Sequence, residues 1–235
     1  MYFNKIKIFF FLLCLYISIS THSQGATFSI NYNGTTPQVE QAINKAVQVW
    51  EHLLISSVTI DVNVNWVDAS AFGFLGVTIS NGEKNFQNSP ISNVWYPTSL
   101  ANAMAGYDLK PNEVDIDIYL DSSRNWYYGV DGNVGANQYD LVSVALHEIG
   151  HGVGFYSVAN IDAQGLGSFS LEIDPVISAF ASFPIPNLDG EPLIYDLFIE
   201  NLQGNTLVDS NLYINPSMAL ATQFRSNNLY FNGAN

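Results

Sequence analysis

The sequence predicts an α+β fold, in which a mixed, twisted sheet carries two main helices on one face, over residues 37–55 and 140–153. Three observations point there. The chain opens strand–helix–strand, a third alternating segment follows at residues 114–120, and an amphipathic helix follows that. Strand–helix–strand favours parallel pairing through a right-handed crossover.

"ATFSINYN" alternates Phe28, Ile30 and Tyr32 with polar residues and predicts the first strand. In "GTTPQVEQAINKAVQVWEHLLISS", Thr36 is placed to cap a helix and Pro37 suits its first position. Val39, Ala42, Ile43, Ala46, Trp50, Leu53 and Leu54 recur at helical spacing and predict its apolar face. His52 falls with Gln41, Lys45 and Gln48 on the opposite, polar face, so it is expected in solvent and not as a ligand. "SVTIDVNVNWV" alternates Val58, Ile60, Val62, Val64 and Trp66 with Thr59, Asp61, Asn63 and Asn65, the pattern of a strand with one buried face. Residues 68–112 show little periodicity apart from a short helix predicted at "PTSLANAMAG". "NEVDIDIYLDSS" predicts a third strand, with Val114, Ile116, Ile118 and Leu120 on its apolar side. Beyond Tyr156 the pattern weakens to a short apolar segment with turns at Gly190 and Gly204.

The first residues have a separate purpose. Lys5 and Lys7 precede an apolar run from Ile8 to about Ile19, and Ser20, Thr21 and Ser23 follow. That layout predicts a cleaved signal peptide over residues 1–23 and a single domain over 24–235. The run is short for the roughly 20 residues a membrane span needs. Cys14 lies inside it and is the chain's only cysteine, so the exported domain is expected to stand on its core without disulfides. Losing Lys5 and Lys7 would take the formal net charge from −14 to −16. Nucleic acid and anionic membrane surfaces are poor partners for such a chain. A secreted monomer is expected, extracellular or periplasmic, with no membrane contact after cleavage.

The chemistry concentrates in "DLVSVALHEIGHGVGFYS", residues 140–157. Asp140 is a good N-cap. Val142, Ala145, Leu146, Ile149 and Val153 form the expected buried stripe, while His147 and His151 share another face one turn apart. Two imidazoles from one turn can grip one Zn²⁺. Glu148, one residue along, can take a proton from water beside the metal, which is the logic of H-E-x-x-H. Gly150 and Gly152 each cost about 1 kcal/mol relative to Ala in a helix, so some close packing is expected to require them. Gly154 fits the helix end. These residues predict a secreted zinc-dependent endopeptidase acting on protein or peptide substrates, with His147 and His151 as metal ligands and Glu148 as general base. The competing expectation is a non-catalytic zinc-binding or surface-binding module that keeps the helix.

"VALHEIGHGVGFYS" resembles the active-site helix of secreted bacterial zinc metallopeptidases of the metzincin-like H-E-x-x-H-x-x-G-F type. "VDIDIYLDSSRNWYYGVDG", "WYPTSLANAMAG" and "YDLFIENLQGNTL" are similar to the same group, so the resemblance spans about residues 90–235. It implies a metzincin-like sheet whose edge strand, at 114–120, holds extended substrate. The sixth position after His151, where that pattern often has a third ligand, is Ser157. In leishmanolysin-like peptidases the third histidine comes much later, and this chain has none after His151. The resemblance therefore implies a chain that stops before its third ligand. Alternatively a carboxylate serves: Asp196, Glu172 or Asp174. Met218 is a candidate methionine turn, and Asp131, Asn133 and Asp140 offer oxygens for a structural Ca²⁺.

Overall fold

The alternation around Ile30 becomes strand β1 (Phe28–Asn33), and Pro37 opens helix α1 (Pro37–Leu53) at its first position. Thr36 occupies the cap position in an extended conformation, but its side chain makes no capping bond. The neighbouring Thr35 hydroxyl instead donates to Glu40, 2.8 Å away. The computed structural model describes residues 25–170 and 190–233. The expected signal peptide with Cys14, and the candidate ligands Glu172 and Asp174, lie outside these residues.

Strand β2 (Ile60–Val67) follows α1, then β3 (Gly76–Ser80), β4 (Gly82–Glu83) and β5 (Tyr96–Pro97). Helix α2 (Thr98–Ala105) leads to β6 (Ile116–Asp121), β7 (Trp126–Tyr127) and β8 (Tyr139–Asp140), and then α3 (Leu141–Gly152). Strands β9 (Ala159–Ile161) and β10 (Gly167–Phe169) follow. A 3₁₀ turn (Ile194–Phe198), β11 (Ile199–Asn201), α4 (Met218–Phe224) and β12 (Leu229–Phe231) complete the order. The fold is mixed α+β: helices on a four-stranded sheet, with several small two-stranded sheets.

The main sheet runs β1–β2–β6–β3. β1, β2 and β6 are parallel, and β3 is antiparallel to β6. Val62 sits opposite Ile116 and Val64 opposite Ile118, so the apolar sides of the two strands are in register. That register buries Ile60, Val62, Val64, Ile116, Ile118 and Leu120 in one cluster with Val39, Ile43 and Ala46 of α1 and Leu141, Ala145 and Ile149 of α3. Both long helices therefore cover one face of the sheet. The other face is a polar ladder, in which Asn31 donates to Asn63 (3.1 Å) and Asn63 to Asp117 (2.9 Å).

One expectation is overturned here. The strand at 114–120 is interior, paired on both sides, and β3 takes the edge. Its short "GVTIS" offers little periodicity and lies in the stretch that reads as irregular from sequence. A second apolar cluster joins Trp95 to Val158, Phe169, Leu193, Leu207 and Leu220. Gly190 and Gly204 both have positive φ, as turns at those points require. Among the described residues no helix is long and apolar enough to cross a membrane.

The helix glycines have a packing reason. A Cβ on Gly152 would lie 2.5 Å from Ile116 Cγ2, and one on Gly150 would lie 3.3 Å from the Trp50 ring. Gly152→Ala should therefore destabilise the fold by about 1–3 kcal/mol, the usual cost of overpacking. A melting temperature equal to that of the wild type would show that β6 and α3 are not packed this closely.

Candidate metal centre

Helix α3 is fixed at both ends and along its length. Asp140 Oδ2 accepts from the Ser143 amide (3.3 Å) and hydroxyl (2.5 Å), the cap expected from sequence. Trp50 of α1 donates its indole N–H to the Leu146 carbonyl at 3.1 Å, and Ser99 of α2 donates to the Gly152 carbonyl at 3.0 Å. At the far end the Phe155 amide donates back to the Gly150 carbonyl (2.9 Å), and Gly154 has φ +119°. This turn brings the Phe155 carbonyl within 2.9 Å of His151 Nδ1.

That contact sets the state of His151. A carbonyl only accepts, so Nδ1 carries the proton and Nε2 presents its lone pair. The same outer bond is the one that metal-binding histidines use to fix ring and tautomer. His151 Nε2 lies 2.8 Å from His147 Nε2, and the two rings stand at 82°. Without metal, His147 Nε2–H therefore donates to His151 Nε2. Two nitrogens at tetrahedral zinc distances would be about 3.3 Å apart, which is a small opening of this pair. His147 is exposed and His151 partly so, which leaves the point between them open to solvent.

Glu148, the next residue along, is enclosed rather than open to solvent. It is only 5% exposed, covered by β3. The Thr78 hydroxyl lies 2.7 Å from Glu148 Oε2 and 2.9 Å from the Glu148 carbonyl. Burial raises its pKa, opposed by the Thr78 bond and by the electrostatic influence of His151 and His147. A carboxylate held partly against ionisation beside two imidazoles is suited to accept and return a proton. His52 is exposed on α1, as expected.

Of the candidate third ligands only Asp196 lies among the described residues, and it does not join this pair. Among the described residues no three His, Cys, Asp or Glu side chains are grouped to hold a metal. Asp196 is fully buried and accepts from the Leu193 amide at 2.9 Å and the Val158 amide at 3.4 Å. It staples the 3₁₀ turn to the segment after α3. Met218 opens α4 and is exposed. The oxygens of the candidate Ca²⁺ loop are spent locally, since Asp131 accepts from Tyr127 and Asn133 and Asp140 caps α3.

Burial pushes the Asp196 pKa from 3.8 up to about 6, against the Ser157 hydroxyl and the Leu193 and Val158 amides. The folded state then holds a proton that the unfolded chain releases near pH 4. This contribution to stability is full below that pH and is lost as pH rises through about 6. Asp196→Asn keeps one carbonyl oxygen for both amides. It should flatten the fall in melting temperature between pH 4 and 6, and an unchanged slope would contradict the buried, proton-binding assignment.

Comparison with known proteins corrects the family expected from the motif. The SPBPB7E8-like family matches residues 20–189, more than half of the chain. A fission yeast protein (Schizosaccharomyces pombe), named only as uncharacterized protein PB7E8.01, is 32% identical over 139 residues. That alignment covers 54% of this chain and 22% of the relative, so the chain spans about a fifth of the relative's length. No solved structure matches the chain significantly. A eukaryotic, uncharacterized relative and the absence of a three-ligand group among the described residues overturn assignment to the bacterial metallopeptidases, and with it the late third ligand that assignment implied. The physical reason is that H-E-x-x-H specifies one turn of helix, and one turn does not specify the rest of a family. By the extent of the match, the chain belongs to the SPBPB7E8-like family.

Proposed function

We propose that this chain is a secreted zinc-dependent endopeptidase. The observation that carries the reading is the convergence of His147 Nε2 and His151 Nε2 at 2.8 Å, next to a buried Glu148. His147 and His151 would hold the metal, supplying two of the three protein ligands that a catalytic zinc normally takes. Zinc in that place supplies Lewis-acid activation of water and of a peptide carbonyl. Glu148 handles the proton: it accepts one from the attacking water and returns it to the leaving amine. A C–O bond forms, the peptide C–N bond breaks, and one water is consumed. The Phe155 carbonyl keeps His151 in the metal-binding tautomer throughout. The metzincin-like description of the sheet belongs to this proposal. It is supported by three parallel strands, an antiparallel edge strand and the His147 helix packed on the sheet. Export by the leader, action outside the cell and a protein or peptide substrate also belong to it.

The direct test is proteolysis of an unfolded protein by the purified chain, with and without a chelator. Activity lost on chelation and restored by added zinc is expected. Turnover untouched by chelation and by Glu148→Gln would refute the peptidase. Stoichiometric zinc binding without turnover would favour the binding module instead.

A further inference from the structure

Thr78 and Gly76 have no role in the chemistry so far, yet both touch the residue that carries the proton. They lie two apart on β3, and side chains at that spacing share one face of a strand. Thr78 Oγ1 reaches both the carboxylate of Glu148 (2.7 Å to Oε2) and its backbone carbonyl (2.9 Å). The hydroxyl has one proton, so these two acceptors on the same residue share it. At Gly76 the carboxylate fills the space a side chain would take. A Cβ there would lie 2.7 Å from Glu148 Oε1 and 2.9 Å from both Cδ and Cγ. Any residue larger than glycine would push Glu148 off the strand. Among the described residues no hydrogen bond occupies Oε1, so the seat engages one oxygen and leaves the other available.

We propose that Gly76 and Thr78 are positioning residues for Glu148: β3 seats the carboxylate, Thr78 holding Oε2 while Gly76 leaves the space that Oε1 fills. The role in turnover rests on the peptidase reading, but the seat itself is a geometric assignment that can be tested without activity. Glu148 is carried by α3 and cannot orient itself. Its side chain has rotatable bonds, and burial alone would not choose how the carboxylate is turned. Only a group outside the helix can make that choice, and β3 is the strand that contacts it.

The test compares Thr78→Val, Thr78→Ser and Gly76→Ala in the full chain. Valine keeps the shape of threonine and removes the hydroxyl, and serine keeps the hydroxyl. Thr78→Val should lower kcat about 100-fold, the scale of a 1 Å misplacement of a reacting group. KM and zinc affinity by calorimetry should stay within about twofold of wild type, since neither depends on the proton-handling oxygen. Thr78→Ser should recover most of the loss. Valine with wild-type kcat, or serine as impaired as valine, would overturn the proposal. Crystal structures of metal-free Thr78→Val and Gly76→Ala give the second readout. Glu148 should leave its place against β3 in both, and an unmoved carboxylate overturns the seat even if the wild type is an active peptidase. An inactive wild type whose Glu148 moves in both variants overturns the peptidase reading and leaves the seat standing.

Discussion

Glu148→Gln should lower kcat by about 10²–10⁴-fold, the range contributed by a positioned general base, with zinc affinity unchanged. Glutamine has nearly the same shape, and its carbonyl oxygen can accept from Thr78 in place of Oε2. The fold and the place of the side chain should therefore survive. The loss is chemical: the amide nitrogen would stand where Oε1 stands, offering protons where a proton must be accepted. Glu148 touches neither histidine through a hydrogen bond, so calorimetry should report the same affinity for both proteins. Reduced kcat with intact metal binding separates the base from the ligands. A Glu148→Gln variant that turns over at the wild-type rate would remove Glu148 from the mechanism, whatever its burial.

His147→Ala should lower zinc affinity by more than 100-fold. Changing a residue that merely supports a ligand costs 10–100-fold, and His147 would be a ligand itself. Its Nε2 and that of His151 define one point in space, and one imidazole cannot hold a metal against water. The variant should nevertheless fold. His147 is exposed on α3, away from the core built by Leu141, Ala145 and Ile149, and such surface changes usually fall within about 0.5 kcal/mol. His151 should keep its bond to the Phe155 carbonyl, because that bond does not involve His147. Unchanged zinc affinity in His147→Ala, measured by calorimetry, would remove the metal site.

Much of the main sheet was legible because its elements repeat over several residues. Val62 and Val64, and Ile116 and Ile118, announce themselves by alternation, and α1 by its three-and-four spacing. The cap at Asp140 and the shared face of His147 and His151 follow from local helix geometry. β3 was not legible, since five residues with Gly76 at the start give too short a pattern. Its alternation of Val77 and Ile79 with Thr78 and Ser80 was the only sign. The edge that the resemblance places at 114–120 belongs to β3 instead, because a strand's neighbours are set by pairing and not by its own composition. Family membership was not legible from the motif either. His147, Glu148 and His151 fix one turn of helix, whereas the family match extends over residues 20–189.

The sequence by itself determined the long helices α1 and α3, strands β1, β2 and β6 and the apolar side of each, and it placed two imidazoles one turn apart. These are properties of a few consecutive residues, governed by backbone period. Only the tertiary structure decided what surrounds them. It showed that Gly150 and Gly152 are small because Trp50 and Ile116 press on them. It made Asp196 a staple for two amides, and it set Glu148 against Gly76 and Thr78. Each of these outcomes depends on atoms from distant parts of the chain meeting at van der Waals or hydrogen-bond distance. No local period encodes such a meeting: it comes from α3 packing beside α1 and against the sheet, and from the 3₁₀ turn meeting the segment after α3.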